Sequence, residues 1–328
     1  MLSSAAAFAP GEVIFFGEHS VVYGKTAVAA AISRGVEVRA VPIEGQVMVQ
    51  SHLGRLQAEL SGYRLSRIKV SDPLQPFVSL FKRLFSRYKK GVGLKISIHS
   101  TIPEASGLAS SAAVSAALIS VVSTFLEKKI QIKRLVDWVY ESEIEIQKRG
   151  SILGSACTVR GGFVCVKNGK WNRLKINSND LNTLIIDTQE RCTTSETTAR
   201  VKRLLEQDPK GTSRLFEEMD EIAEKGKGCL EQNKWADAGV LMSRNQVYLK
   251  KLNVSTGKID LLIQKISDWT WGAKITGAGG GGCVLCLPRD GAEQKIHEIA
   301  QSLKCLVLEA RIQSEGVRSV TEESLCRQ

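Results

Sequence analysis

Five of the six residues from Gly277 to Gly282 are glycine, and the run sits between the apolar stretches AKIT and CVLCL. Glycine loses more backbone freedom on folding than any other residue, so five together are costly. A plain hairpin turn needs only one or two. Close backbone approach explains the excess, either to a ligand or to a second loop of small residues. Such a loop lies far upstream. Ile102-Pro103-Glu104-Ala105-Ser106-Gly107-Leu108-Ala109-Ser110-Ser111-Ala112 opens a long Ala/Ser/Leu-rich helix, expected over Leu108 to Glu127. A small-residue loop at a helix start exposes backbone N–H groups, and the helix dipole adds roughly half a positive charge there. That combination suits the phosphates of a nucleotide. Ser110 and Ser111 fall in the first turn, where a hydroxyl can reach a phosphate oxygen or Mg²⁺. The plain alternative is an N-cap followed by an Ala/Ser packing face. The loop contains neither G-x-x-x-x-G-K-S/T nor G-x-G-x-x-G, so it is neither a P-loop nor a dinucleotide fingerprint.

A chain of 328 residues exceeds what one hydrophobic core usually serves, and two domains are expected. The order of elements is strands, then helices, then strands again, which indicates an α+β fold. The boundary is expected near residue 180, giving domains 1–180 and 181–328. Strands are predicted at Val13 to Gly17, Val36 to Val41, Val47 to Gln50, Leu94 to Ile98, Phe163 to Val166 and Leu184 to Asp187. Helices are predicted at Pro76 to Tyr88 and Ile132 to Ile146, and a long helical stretch begins beyond Thr194.

Composition narrows the function classes. The formal net charge is +11, yet the basic residues are dispersed and only five Trp and five Tyr accompany them. No RNA-binding signature interleaves aromatics with glycine, so a solvated basic face or acidic substrates explain the charge and nucleic acid is not expected. No apolar run approaches the ~20 residues needed to cross a bilayer. MLSSAAAF has no basic stretch, and the strand-like EVIFFG follows at once, so no signal peptide is expected. Eight cysteines are scattered, and the one CxxC pair, Cys283 and Cys286, lies in an apolar run that reads as a buried strand. Free thiols and a cytoplasmic location follow, without a disulfide or metal framework.

A third motif, Gly17-Glu18-His19-Ser20-Val21-Val22-Tyr23-Gly24, follows the apolar run that starts at Val13. A lone Glu-His pair at a strand end is usually structural. In this frame it resembles the Gly-Glu-His-x-Val-Val-Tyr-Gly signature of mevalonate kinases. The Pro103–Ala112 run matches every fixed position of the GHMP-kinase phosphate motif, Pro-x-x-x-Gly-Leu-x-Ser-Ser-Ala. Lys274 to Cys283 is similar to the third motif of that superfamily, and Asp187-Thr188 followed by Thr194 resembles its Asp-Thr…Ser-Thr segment. The chain is thus identified as a GHMP-kinase relative, most similar to archaeal-type mevalonate kinases. The resemblance implies an N-terminal domain with a left-handed βαβ element, a ferredoxin-like C-terminal domain, and ATP and Mg²⁺ bound between them. Pro103 to Ser111 would cradle the triphosphate, and Gly277, Gly279 and Gly280 would close on it. Ser110, Ser111 and Glu143 would hold Mg²⁺, and Glu18, His19 and Thr194 would contact a small acidic substrate. The implied reaction is phosphorylation of mevalonate to 5-phosphomevalonate. The alternatives are a related acid (phosphomevalonate or mevalonate 3-phosphate) and a silent nucleotide-binding homologue acting through a partner. Oligomeric state stays open, a homodimer included.

Two positions depart from the family pattern. The resemblance puts a catalytic lysine in Ala-Pro-Gly-Lys, where this chain has Glu12. It puts an aspartate at Gly154, counted back from Gly161-Gly162. No carboxylate occurs between Glu145 and Asp180 to replace it. Three explanations remain: transfer without a protein base, a carboxylate supplied by Glu12 from the opposite wall, or loss of catalysis with nucleotide binding kept.

Overall fold

The computed structural model describes residues 3–88, 92–125, 130–147 and 150–320. The first half of the chain builds a large sheet from β1 (Ala5–Phe16), β2 (Ala27–Ile43), β3 (Gln46–Ser51), β4 (Gly54–Ser61) and β5 (Arg64–Val70). After α1 (Val78–Tyr88) comes β6 (Gly93–Ser100), then α2 (Ser110–Phe125), α3 (Ile132–Gln147) and α4 (Ile152–Arg160). The hairpin β7 (Phe163–Lys167) and β8 (Lys170–Leu174) completes this part. Neighbours run β1-β2-β6-β3-β4-β5, with β7 against the first half of β2 and β6 against the second. All these pairs are antiparallel except β3 with β6.

α2 is buried on nearly every side. Ala112, Ala113, Ala116 and Ala117 are 1% exposed or less, as are Leu118, Ile119, Val121 and Val122. Small residues let β1, β2, α3 and α4 close around the helix, and a helix apolar all round belongs in a core. Its first turn is thereby held against β1 at the centre of the molecule.

The second part consists of β9 (Leu184–Asp187), α5 (Thr194–Gln207), α6 (Pro209–Glu231), α7 (Trp235–Lys251), α8 (Gly257–Ile266), β10 (Thr270–Ile275), β11 (Cys283–Pro288), α9 (Glu293–Ser302) and β12 (Leu306–Leu308). Its sheet has the order β10-β11-β9-β12, antiparallel throughout. A separate core forms around Ile186, Leu249, Ile259, Ile275, Val284 and Ile296. Cys283 and Cys286 lie in β11, both wholly buried.

Several elements differ from the sequence reading. β1 starts at Ala5, its first half hidden by a run of small alanines. The hairpin β4–β5 was not predicted, because Leu56, Ala58 and Leu60 supply all the inward residues of β4. α4 was also missed. α2 begins at Ser110 and not at Leu108, since Ala109 has φ +56° and interrupts the helix; the expected end at Glu127 lies outside the described residues. Pro76 lies in a 3₁₀ turn (Asp72–Phe77) ahead of α1, as suits a residue without an N–H.

The largest difference concerns the C-terminal segment. Residues 311–320 return to the first sheet, where β13 (Arg318–Ser319) pairs with β1. Five backbone hydrogen bonds fasten this strap: Arg311 O accepts from Ser33 N, Gln313 N donates to Ala31 O, Gln313 O accepts from Gly162 N, Val317 N donates to Thr158 O, and Val320 N donates to Ala6 O. The first sheet is therefore fastened by residues 311–320 as well as by the segments before residue 180. At about 1 kcal/mol per bond, a chain ended after Leu308 is expected to melt about 10 °C or more below the full chain by circular dichroism.

Candidate active site

The two small-residue loops meet backbone to backbone. A Cβ on Gly277, whose φ is +81°, would fall 2.4 Å from Gly107 O, and one on Gly107 would fall 2.7 Å from Thr276 O. Both distances are too short for any real side chain, so glycine is required on each side of the contact. Cys283 N donates to Ser106 O at 3.0 Å. From β9, Thr188 gives both its N–H and its hydroxyl to Gly282 O, at 3.0 and 2.7 Å. Glu190 O accepts from Gly282 N and Val254 O from Gly280 N. Asp187, 1% exposed, is held by both terminal nitrogens of Arg191.

The upstream loop carries strain of its own. Ala105 (φ +47°) and Ala109 (φ +56°) occupy the left-handed region, which costs a residue with a Cβ about 1 kcal/mol or more. Two bonds hold it there: Ser106 Oγ donates to Pro103 O at 2.7 Å, and Glu12 N donates to Leu108 O at 3.2 Å. α2 starts immediately after, so its first turn, Ser110 and Ser111, lines a cavity of about 480 Å³. Glu104 to Ser111, Gly279, Gly281 and Gly282 line this cavity together with apolar Leu53, Pro73, Phe77, Val114 and Ile146. Gly280 lies behind the loop, against Thr197 and Cys192.

A smaller inner cleft of about 150 Å³ shares Gly107, Ala109, Thr194 and Ala278 with the larger cavity. Glu12, Glu18, His19, Glu143 and Gly154 all line it, so the acidic and small residues singled out from sequence come together in one place. Thr194 opens α5, directly after its N-cap Thr193, which forms a reciprocal capping box with Glu196.

The carboxylates there have different partners. Glu18 Oε1 is ion-paired with Lys274 Nζ, and Asn245 Nδ2 donates to Oε2 at 3.1 Å. Lys274 also donates to Ile14 O and Ile275 O. Burial pushes the Glu18 carboxyl up and the Lys274 ammonium down, and their contact opposes both shifts. His19 sits at φ +61° with Nε2 2.9 Å from Ala278 O. A carbonyl only accepts, so Nε2 carries the proton; burial also lowers the pKa, which keeps the imidazole neutral. Glu143 takes a 2.6 Å hydrogen bond from Ser111 Oγ, and burial pushes it up to about 7.

Glu12 is 5% exposed, and its Oε2 is buried without a hydrogen-bond partner among the described residues. Burial pushes its carboxyl up to about 8; a hydrogen bond with the Cys157 thiol opposes this, while the charges of Glu143 and Glu18 add to it. A Cβ on Gly154 would lie only 3.2 Å from Glu12 Oε1. The carboxylate from β1 therefore occupies the space into which a side chain at position 154 of α4 would project. Sequence reasoning did not find Lys274, Asn245 or Cys157 as parts of this site. A lysine in the apolar run WGAKI was the available signal for the first.

Residues 76–162 match the family described as GHMP kinases N terminal domain, and residues 227–305 match GHMP kinases C terminal. The mevalonate kinase of Pyrococcus furiosus is 33% identical over 91% of this chain and 92% of its own length; that of Pyrococcus abyssi is 31% identical over 95% and 96%. The crystal structure of the Methanococcus jannaschii mevalonate kinase superposes with a TM-score of 0.81 at 26% identity, covering 94% of this chain and 98% of that one. The chain belongs to the GHMP kinase family. Within that family its curated relatives at about 30% identity are the archaeal mevalonate kinases.

Two outcomes follow from the geometry. Gly277→Ala should lower affinity for a non-hydrolysable ATP analogue at least about tenfold by calorimetry, because its Cβ collides with Gly107. For Glu12 the folded pKa lies above the ordinary 4.5, so the folded chain holds the extra proton between about pH 4.5 and 8. Stability is lost as pH rises through that window, by at most about 5 kcal/mol. Glu12→Gln should therefore melt well above the parent at pH 8.5 and close to it at pH 4.5.

Proposed function

We propose that the protein transfers the γ-phosphoryl group of ATP to a hydroxyl of a small acid, mevalonate first among them, forming 5-phosphomevalonate. The reading is carried by one observation: a cavity floored by interlocked glycine loops and a helix N-terminus opens directly onto a small, acid-lined cleft. Triphosphate oxygens suit the backbone N–H groups of the Ser106–Ser111 loop and of Gly279 and Gly281, which line the same cavity, whereas Gly280 N and Gly282 N are taken by Val254 O and Glu190 O. The apolar wall of Leu53, Pro73 and Phe77 suits a purine. His19, Thr194 and the cleft around Gly154 would position the acceptor, and positioning supplies most of the catalysis in phosphoryl transfer. Glu18, with both oxygens engaged by Lys274 and Asn245, would shape the acceptor pocket more than bind in it.

Mg²⁺ fits Ser111 and Glu143, since a carboxylate buried enough to be pushed up to about 7 gains from a divalent cation. Among the described residues no group of three His, Cys, Asp or Glu could hold a metal. Phosphate oxygens and water would complete the shell, as Mg²⁺ prefers, and Ser110 stands one residue away in the same turn. Bound there, the ion would neutralise phosphate charge. No helix among the described residues is long and apolar enough to cross a membrane, and the described cysteines are free, which suits a reducing compartment such as the cytoplasm.

A coupled ADP-release assay with Mg²⁺, run over mevalonate, phosphomevalonate and mevalonate 3-phosphate, tests the reading. Turnover with mevalonate is expected to exceed the others at least about tenfold, since a cleft fitted to one acid leaves extra phosphate unpaired. Nucleotide binding without ADP release for any acid defeats it.

A further inference from the structure

We propose that Glu12 is the carboxylate that takes the acceptor's proton, working from β1 into the space left open by Gly154 on α4. The inference rests on the kinase reading above and adds the group that handles the proton.

The assignment follows from what each acidic group at the cleft already does. Glu18 spends one oxygen on Lys274 and the other on Asn245. Glu143 is engaged by Ser111 in the first turn of α2, on the phosphate side. Glu12 is different. Its Oε2 is wholly buried and has no hydrogen-bond partner among the described residues, although the residue lines the inner cleft. A buried carboxylate oxygen left without a donor costs the fold about 1–3 kcal/mol or more. A hydroxyl delivered by an acceptor would satisfy it.

Position matters as much as vacancy. Glu12 N is tied to Leu108 O, so the residue is fixed to the phosphate loop itself and a hydroxyl on its carboxylate would lie beside that loop. Gly154 faces the same carboxylate across the cleft, and its missing side chain is what makes room. The residues are a matched pair: an acidic side chain can come from either wall, but not from both. The electron accounting is simple. The acceptor oxygen forms a bond to the γ-phosphorus, and the bond from that phosphorus to the β,γ-bridging oxygen breaks with its electron pair, leaving ADP. The hydroxyl proton passes to Glu12 Oε2 and then to water.

The test uses the full chain, mevalonate, and ATP with Mg²⁺ at about pH 8.5, above the value of about 8 to which burial pushes Glu12, so that the carboxylate is available. Glu12→Gln keeps the shape and removes the charge; kcat should fall at least about tenfold, while calorimetric affinity for a non-hydrolysable ATP analogue stays within about twofold. Gly154→Asp alone should be inactive, because it sets a second carboxylate against the first. Glu12→Lys alone should be inactive as well. The double variant Glu12→Lys/Gly154→Asp moves the carboxylate to the other wall and should recover at least about tenfold over either single variant. An active parent whose kcat survives Glu12→Gln, or a double variant no better than Glu12→Lys, overturns the assignment and leaves the kinase reading standing. A parent that binds nucleotide yet releases no ADP sinks both.

Discussion

The contact between the Ser106–Gly107 and Thr276–Gly277 backbones is the constraint on which the rest of the site depends. Two loops separated by about 170 residues of chain approach so closely that neither Gly107 nor Gly277 can carry a Cβ. Each loop is presented by a rigid element. α2 is buried against β1 and β2 through its alanines, and β11 is buried in the middle of the second sheet. The entropy lost by five glycines is offset by that support, and by Thr188, Glu190 and Val254, which bind the glycine run from behind. Residues of both loops line one volume. The proposed anion site needs no cationic side chain, since the dipoles are fixed before a ligand arrives.

A buried ion pair aligns the inner cleft with that volume. Lys274 is wholly buried and bridges Glu18, the carbonyl of Ile14 and its own strand, so the end of β1 is locked to β10. Thr276 adds to the lock by accepting from Ile14 N, and His19 by donating to Ala278 O. Buried pairs of this kind contribute little net stability against an apolar replacement, but removing one partner strands a charge. Their clearest effect here is registry. They fix which residues of the first unit face which residues of the glycine run, and so fix the distance from the phosphate loop to Thr194 and His19.

Much of this was legible in the sequence, and the reasons are physical. Glycine density at 277–282 announced a close approach, and the small-residue run at 103–112 announced its counterpart, because nothing else repays such composition. The heptad-like spacing in α1 and the apolar runs of β9 and β11 were equally plain. Three features were not. α4 carries Gly154, Ser155, Cys157 and Thr158, residues of modest helix propensity, and is held by tertiary contacts with α2, α3 and β1. The strap at 311–320 has almost no apolar pattern; backbone pairing to distant partners holds it, which no local signal reports. Lys274 read as part of a motif, not as a buried cation, because burial of a lysine depends wholly on Glu18, 256 residues away.

The exchange between positions 12 and 154 bears on how charge is balanced at the junction of the cavities. With Lys274 already committed to Glu18, no other lysine or arginine among the described residues lines the inner cleft, while Glu12 and Glu143 both do. Burial pushes both carboxyls up, and the charges of Glu143 and Glu18 push Glu12 up further. Bringing a triphosphate beside them raises the local negative charge again, so both ionised forms become harder to reach unless a divalent cation arrives with the nucleotide.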